Sequence, residues 1–171
     1  MLFRNLVCTI FGSGVIACFI SPAAATELPR EGTCHTNSTI EGKVDHAQSS
    51  SVGGNAIESW SQTNTTTLNC GGAKWPSIKV RCFGFNEVIG AFRTPTGYCL
   101  DTDGDGDEVL WKLVPSKGGA NPLVSGGSSE VLMASGKYEG MSGKSTFSCG
   151  YYGSSAEWTG SCDGEMTFKF P

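Results

Sequence analysis

The chain has 171 residues, of which 39% are apolar and only 16% charged, with 24 glycines and eight cysteines. That length provides one domain with a real core and little room for two, and the low charge with nine Phe and four Trp excludes a charge-rich disordered chain. A net charge of -4 argues against nucleic acid as a partner, because binding phosphate needs a clustered basic surface.

Residues 1–25 read as an export signal. Arg4 supplies the positive start, Leu6 to Ile20 an apolar run, and Pro22 then breaks it before Ala23-Ala24-Ala25, a small-residue site with cleavage expected before Thr26. The run is short for a membrane helix, which needs about 20 apolar residues, and no later stretch comes close, so no transmembrane span is expected in the mature chain. A second processing route is visible. Val15-Ile16-Ala17-Cys18 resembles a bacterial lipobox, whose cysteine becomes a lipidated N-terminus. One route gives a periplasmic or secreted protein, the other a protein lipid-anchored to a bacterial membrane. Removing residues 1–25 takes Arg4 and no acid, leaving a net charge of -5. Five acids lie between Asp101 and Glu108, and the rest of the chain is balanced.

Residues 26–33 look like a loose N-terminal arm, and 34–171 like the domain. Strand signals recur along it, with no convincing helical period. Ile78, Val80 and Cys82 alternate with Lys79, Arg81 and Phe83; Met166, Phe168 and Phe170 alternate with Thr167 and Lys169. Val109 to Val114 is apolar on both parities around Trp111, as for a strand covered on two faces. Shorter runs fall at Ile40–Val44, Thr65–Leu68, Tyr98–Thr102, Glu130–Ala134, Ser145–Tyr151 and Glu157–Ser161. Gly-, Pro-, Asn- and Ser-rich joints at Ser49–Asn55, Gly71–Pro76, Thr94–Gly97, Pro115–Ser129 and Gly150–Ser155 divide them. The pattern predicts an all-β sandwich or barrel of about eight short strands. A membrane barrel fits less well, because spanning strands need about 9–11 residues, the runs are mostly shorter, and no aromatic girdle recurs. Asn37-Ser38-Thr39 and Asn64-Thr65-Thr66 are formal glycosylation sequons, which in a eukaryotic host would mark exposed loops.

Six cysteines remain after either processing route: Cys34, Cys70, Cys82, Cys99, Cys149 and Cys162. In an exported chain they are most simply three disulfides. No Cys-x-x-Cys occurs, which argues against a zinc site or a thioredoxin-like pair. Fifteen pairings exist for six cysteines. Cys149 and Cys162 flank a polar segment suited to a hairpin tip, and Cys82 and Cys99 lie in runs separated by Asn86 to Pro95. Cys34 with Cys70 follows by elimination. A catalytic cysteine is disfavoured, since neither His35 nor His46 is marked as a general base.

Asp101-Thr102-Asp103-Gly104-Asp105-Gly106-Asp107 imitates the start of a calcium loop, with hard oxygen ligands at alternate positions and then glycine. The match fails further on, with Lys112 at the twelfth position, where a bidentate Glu is required, and Glu108 at the eighth. A hairpin turn between Tyr98–Thr102 and Val109–Val114 is the plainer reading and accounts for the Asp-Gly pairs. Asp101, Asp103, Asp105 and Asp107 are the metal candidates, for weak calcium only; no other cofactor is expected.

Two stretches carry a family resemblance. Cys82-Phe83-Gly84-Phe85-Asn86-Glu87 with Gly97-Tyr98-Cys99-Leu100-Asp101-Thr102-Asp103-Gly104-Asp105-Gly106-Asp107 resembles a group of small exported bacterial proteins, mostly uncharacterised. Ser135-Gly136-Lys137-Tyr138-Glu139-Gly140-Met141-Ser142-Gly143-Lys144-Ser145-Thr146-Phe147 is similar to a segment of the allene oxide cyclase and dirigent barrels. The resemblance covers roughly residues 80–171 and implies an antiparallel barrel of about eight strands. It carries over no catalytic residue. Gly136, Gly140 and Gly143 are turn positions in their own right, with Tyr138 packed between turns.

Three functions follow as expectations. The first is an exported, non-enzymatic barrel binding a small apolar ligand or a protein partner, with Trp75, Phe83, Phe85, Phe92, Tyr98 and Trp111 as candidate cavity lining. The second is a barrel-type cyclase or isomerase using Glu87 as a buried carboxylate beside Asn86. The third is a surface-anchored structural lipoprotein, if Cys18 is lipidated. A ligand cavity of order 300 Å^3 with Glu87 at its wall would favour the enzyme, and a filled interior the structural role.

Overall fold

A computed structural model describes residues 6–11, 15–20, 29–49, 55–71, 73–75, 77–90, 92–114, 124–154 and 156–171. Among the described residues, strands β1 (Leu6–Phe11) and β2 (Val15–Ile20) pair with each other and with no other strand. Then follow β3 (Glu31–Ser49), β4 (Ala56–Cys70), the two-residue β5 (Ala73–Lys74), β6 (Ile78–Ile89), β7 (Phe92–Thr102), β8 (Glu108–Val114), β9 (Val124–Ala134), β10 (Ser142–Gly153) and β11 (Glu157–Lys169). Apart from β5, which lies on the edge of β4, each strand from β3 to β11 pairs antiparallel with the next, and β11 returns to β3. The result is a closed up-and-down barrel of eight strands. Closure gives every long strand two neighbours and so removes exposed sheet edges.

One end, the base, gathers the chain ends of the barrel (Arg30, Pro171), the turn into β6, the loop 103–107 and the segment 135–141. Arg30 ties the two chain ends: its carbonyl accepts from Phe170 N at 2.7 Å, and its guanidinium donates to the Pro171 carbonyl at 2.7 Å. The expected arm is therefore shorter than residues 26–33, since Glu31–Thr33 already belong to β3 and ladder with β11.

The eight barrel strands run from 7 to 19 residues, longer than the runs seen in the sequence. Thr94–Gly97 and Gly150–Gly153, which look like joints, continue β7 and β10. The reason is steric. Gly84 and Gly97 face each other across β6 and β7, and a Cβ on Gly84 would strike the Thr96 carbonyl. Glycine here permits close strand approach instead of a turn.

Strand length therefore does not argue against a membrane barrel, but the outer wall does. The outward positions of β3 from Glu31 to Lys43, of β10 from Ser142 to Ser148 and of β11 from Thr159 to Lys169 are polar, so no apolar band encircles the barrel. Among the described residues no helix is long and apolar enough to cross a membrane. Both sequons lie in strands, not loops: Asn37 faces outward and bonds Asp163, while Asn64 accepts from Gln62 within the wall.

The barrel's three disulfides join residues directly opposite on neighbouring strands: Cys34–Cys70 across β3 and β4, Cys82–Cys99 across β6 and β7, Cys149–Cys162 across β10 and β11. These are the pairs expected from spacing and elimination, and they face the interior. Around Cys34–Cys70 the base half is packed with Leu68, Ile78, Val80, Val109, Trp111, Tyr138, Met141, Met166 and Phe168. Trp75 stands against Phe168 edge to face, with centroids 5.4 Å apart. β8 is less covered than its double-apolar pattern implies: Val109 and Trp111 are buried, but Lys112 and Val114 are exposed.

Candidate functional site

The acidic loop connects β7 to β8, and its carboxylates have different fates. Asp103 is buried, and its Oδ1 accepts the amides of Asp105 at 2.9 Å and Asp107 at 3.1 Å. Its Oδ2 accepts the Tyr138 hydroxyl at 2.9 Å and pairs with the Lys137 ammonium. Burial would raise this carboxyl, but Lys137, the two amides and Tyr138 outweigh it and hold Asp103 below the usual carboxylate range. The same ammonium reaches Asp105 at 2.8 Å and Asp107 at 3.7 Å. Asp103 and then Asp105 raise the Lys137 pKa, while burial and then Asp103 raise that of Tyr138.

The segment that delivers Lys137 has a local cause. Gly136 and Gly140 take positive φ of 59° and 78°, bounding a single 3-10 turn, Gly136–Tyr138. A side chain at 136 would strike the Asp107 carboxylate. Of the four metal candidates, Asp103, Asp105 and Asp107 are thus gathered around a lysine, while Asp101 points elsewhere. Among the described residues no group of three or more His, Cys, Asp or Glu is placed to hold a metal ion.

Asp101 faces into the barrel. It lies two residues from the inward Cys99 and opposite Val80 and Val109, and its Oδ2 accepts the Trp111 indole N–H at 3.0 Å. Burial pushes its pKa up to about 7, against the smaller lowering effect of the indole. The void beside it, between Trp75, Tyr138, Met141 and Met166, is only about 20 Å^3. That is room for one water and for no substrate.

Glu87 is not the buried carboxylate that was expected. Cys82 faces inward, so Gly84 and Asn86 follow it on the inner face of β6, and Phe83, Phe85 and Glu87 must face out. Glu87 is exposed. Asn86 does meet an acid, the largely buried Glu58 of β4, at 3.3 Å. The candidate lining divides likewise. Trp75 and Trp111 lie in the core, Phe83, Phe85 and Tyr98 stand on the outer wall, and the Phe92 side chain is outside the described residues.

That outer wall carries the larger recess. An open groove of about 870 Å^3 crosses from the β10–β11 tip over β3 and β4 to β6 and β7, lined mainly by outward residues that include Lys43, Thr63, Arg81, Phe83, Leu100 and Tyr152. Beside it Phe83, Phe85, Ile57 and Ile89 are 50–61% exposed, and the Phe83 and Tyr98 rings stand 6.1 Å apart. Toward the other end of the barrel, the rim, the inner wall becomes polar. Trp158 donates to Gln62 at 3.2 Å, Gln62 to Asn64 at 2.8 Å, and the Ser38 and Thr66 hydroxyls pair at 2.7 Å.

Beyond the sequence expectations, Asp101 is an interior acid, Lys137 is the partner of the acidic loop, and Phe83, Phe85 and Tyr98 lie on the outer side. Compared with known proteins, the chain matches no family model, no curated protein and no solved structure.

Proposed function

We propose that this disulfide-stapled barrel is an exported, non-catalytic binding protein that engages its partner on the outer wall of β4, β6 and β7. One observation carries this reading. The interior is occupied by three disulfides and an aromatic base, whereas large apolar side chains and the 870 Å^3 groove lie outside. Three disulfides favour an oxidising compartment, periplasmic or extracellular; cleavage before Thr26 and lipidation of Cys18 both deliver the barrel there. The likeness to the cyclase and dirigent barrels enters this proposal as architecture alone.

A fluorescent apolar probe, anilinonaphthalene sulfonate, tests the location. Binding that disappears in the Phe83→Ser/Phe85→Ser variant supports the outer wall. Binding that survives there and is lost on substituting Trp111 or Met166 would overturn it in favour of an enclosed site. These phenylalanines are exposed, so their replacement leaves the fold intact.

A further inference from the structure

The outward row of β6 reads Lys79, Arg81, Phe83, Phe85, Glu87, Ile89, so that one strand carries a basic end, an aromatic middle and an acidic end. All six are exposed. Neither Arg81 nor Glu87 has an ion-pair partner among the described residues. The row is self-complementary: a two-fold axis crossing β6 at Gly84, in the plane of the wall, sets Arg81 against Glu87 of a second copy and Phe83 against its Phe85. We propose that the occupant of this outer wall is a second copy of the chain, packed face to face as a symmetric dimer; this rests on the outer-wall reading above.

Shape and area agree with charge. Ile57 on β4 pairs with Glu87, and Thr63 pairs with Arg81, so the same axis brings the projecting Ile57 of one copy over Thr63 of the other. Thr63, Arg81, Phe83 and Leu100 line the groove, whereas Ile57 and Phe85 project 61% and 59% exposed beyond it. Projecting and recessed ends are thus exchanged by the rotation that exchanges acid and base, as an isologous contact requires. Aromatic side chains present about 150–250 Å^2 each. With Phe83, Phe85 and Tyr98 36–59% exposed, and Ile57 and Ile89 beside them, the apolar patch is roughly 400–600 Å^2, at the upper end for a monomer. A polar margin brings it to the scale of about 800 Å^2 per partner typical of stable complexes.

The test is sedimentation equilibrium of the processed protein across roughly 1–100 μM, where a micromolar dimer titrates. A dimer is expected, with Arg81→Glu or Glu87→Arg alone weakening it about tenfold or more and the double variant regaining most of the loss. Far-UV circular dichroism verifies that the variants fold. A monomer at every concentration overturns the proposal. So does a dimer indifferent to Arg81, Glu87, Phe83 and Phe85, or single losses that the double exchange fails to repair. Probe binding lost with Phe83 and Phe85 in a protein that stays monomeric would leave the outer-wall reading standing and remove only the dimer.

Discussion

At the base of the barrel Trp111 donates its indole N–H to Asp101 at 3.0 Å; in the rim half the indole of Trp60, equally buried, has no hydrogen-bond partner among the described residues. The same contrast runs through both halves. The base surrounds two acids with apolar and aromatic side chains, and satisfies one of them with two amides, a hydroxyl and an ammonium. The rim half spreads most of its polarity over amides and hydroxyls that bond each other along the wall, and its buried acid, Glu58, is met by the Asn86 amide. A buried charge is tolerated only when its partners are complete, whereas neutral groups are satisfied piecemeal. Substitutions at the base should therefore be the costly ones.

The largest effect belongs to Asp103→Ala, which strands Lys137, Tyr138 and two amides together. A loss of about 3–5 kcal/mol is expected by urea unfolding; a loss under about 1 kcal/mol would end the idea that the base is built around this carboxylate. Next come the bridges. Removing Cys34–Cys70, which closes a 36-residue separation, should exceed removal of Cys149–Cys162, which closes 13, by about 1 kcal/mol in a total of about 3–4 kcal/mol each. Equal losses would show that native packing, and not loop closure, sets their value.

Asp101 makes the base sensitive to pH. Its folded pKa of about 7 lies above the ordinary carboxyl value, so its contribution is complete below about pH 4 and falls away as pH rises to 7, by a few kcal/mol. Asp103 has the opposite sign, because a lowered pKa gives stability that is lost as pH falls below about 4. A stability profile with its maximum in mildly acid solution is expected, and Asp101→Asn should flatten the limb between pH 4 and 7. An unchanged slope in that variant would assign the limb to other groups.

Two smaller contrasts sharpen the picture. Trp111→Phe should cost about 1–2 kcal/mol more than Trp60→Phe at neutral pH, since only the former breaks a bond to a carboxyl. Calcium must displace the Lys137 ammonium from the acidic loop, so melting temperatures with about millimolar calcium and with chelator should agree; a rise with calcium would show the loop exchanging lysine for metal.

Much of this architecture was legible in the chain. Alternation at Ile78–Cys82 and Met166–Phe170 gave the strands, and an even set of cysteines gave the bridges. A finer signal was also present. Once Cys82 and Cys99 are paired inside a barrel, parity alone turns Glu87, Phe83, Phe85 and Tyr98 outward and Asp101 inward. The acidic run hid this, because seven residues that look uniform in composition straddle the end of a strand. Nothing local announces Lys137, which meets Asp105 across 32 residues of sequence and only after the turn at Gly136 has formed. The long strands were hidden by their glycines, which read as turns until a neighbouring backbone shows what they make room for.

The placement of the bridges divides the barrel into unequal parts. β3 with β4, β6 with β7 and β10 with β11 are each a covalently welded ribbon, while β8 and β9 are held by hydrogen bonds and side chains alone. Any partial opening of the wall has an obvious door. Amide exchange should reach β8 and β9 before the ribbons loosen, and a thiol reductant, shut out from Cys34, Cys82 and Cys149 by burial, would gain entry at the pace of that door.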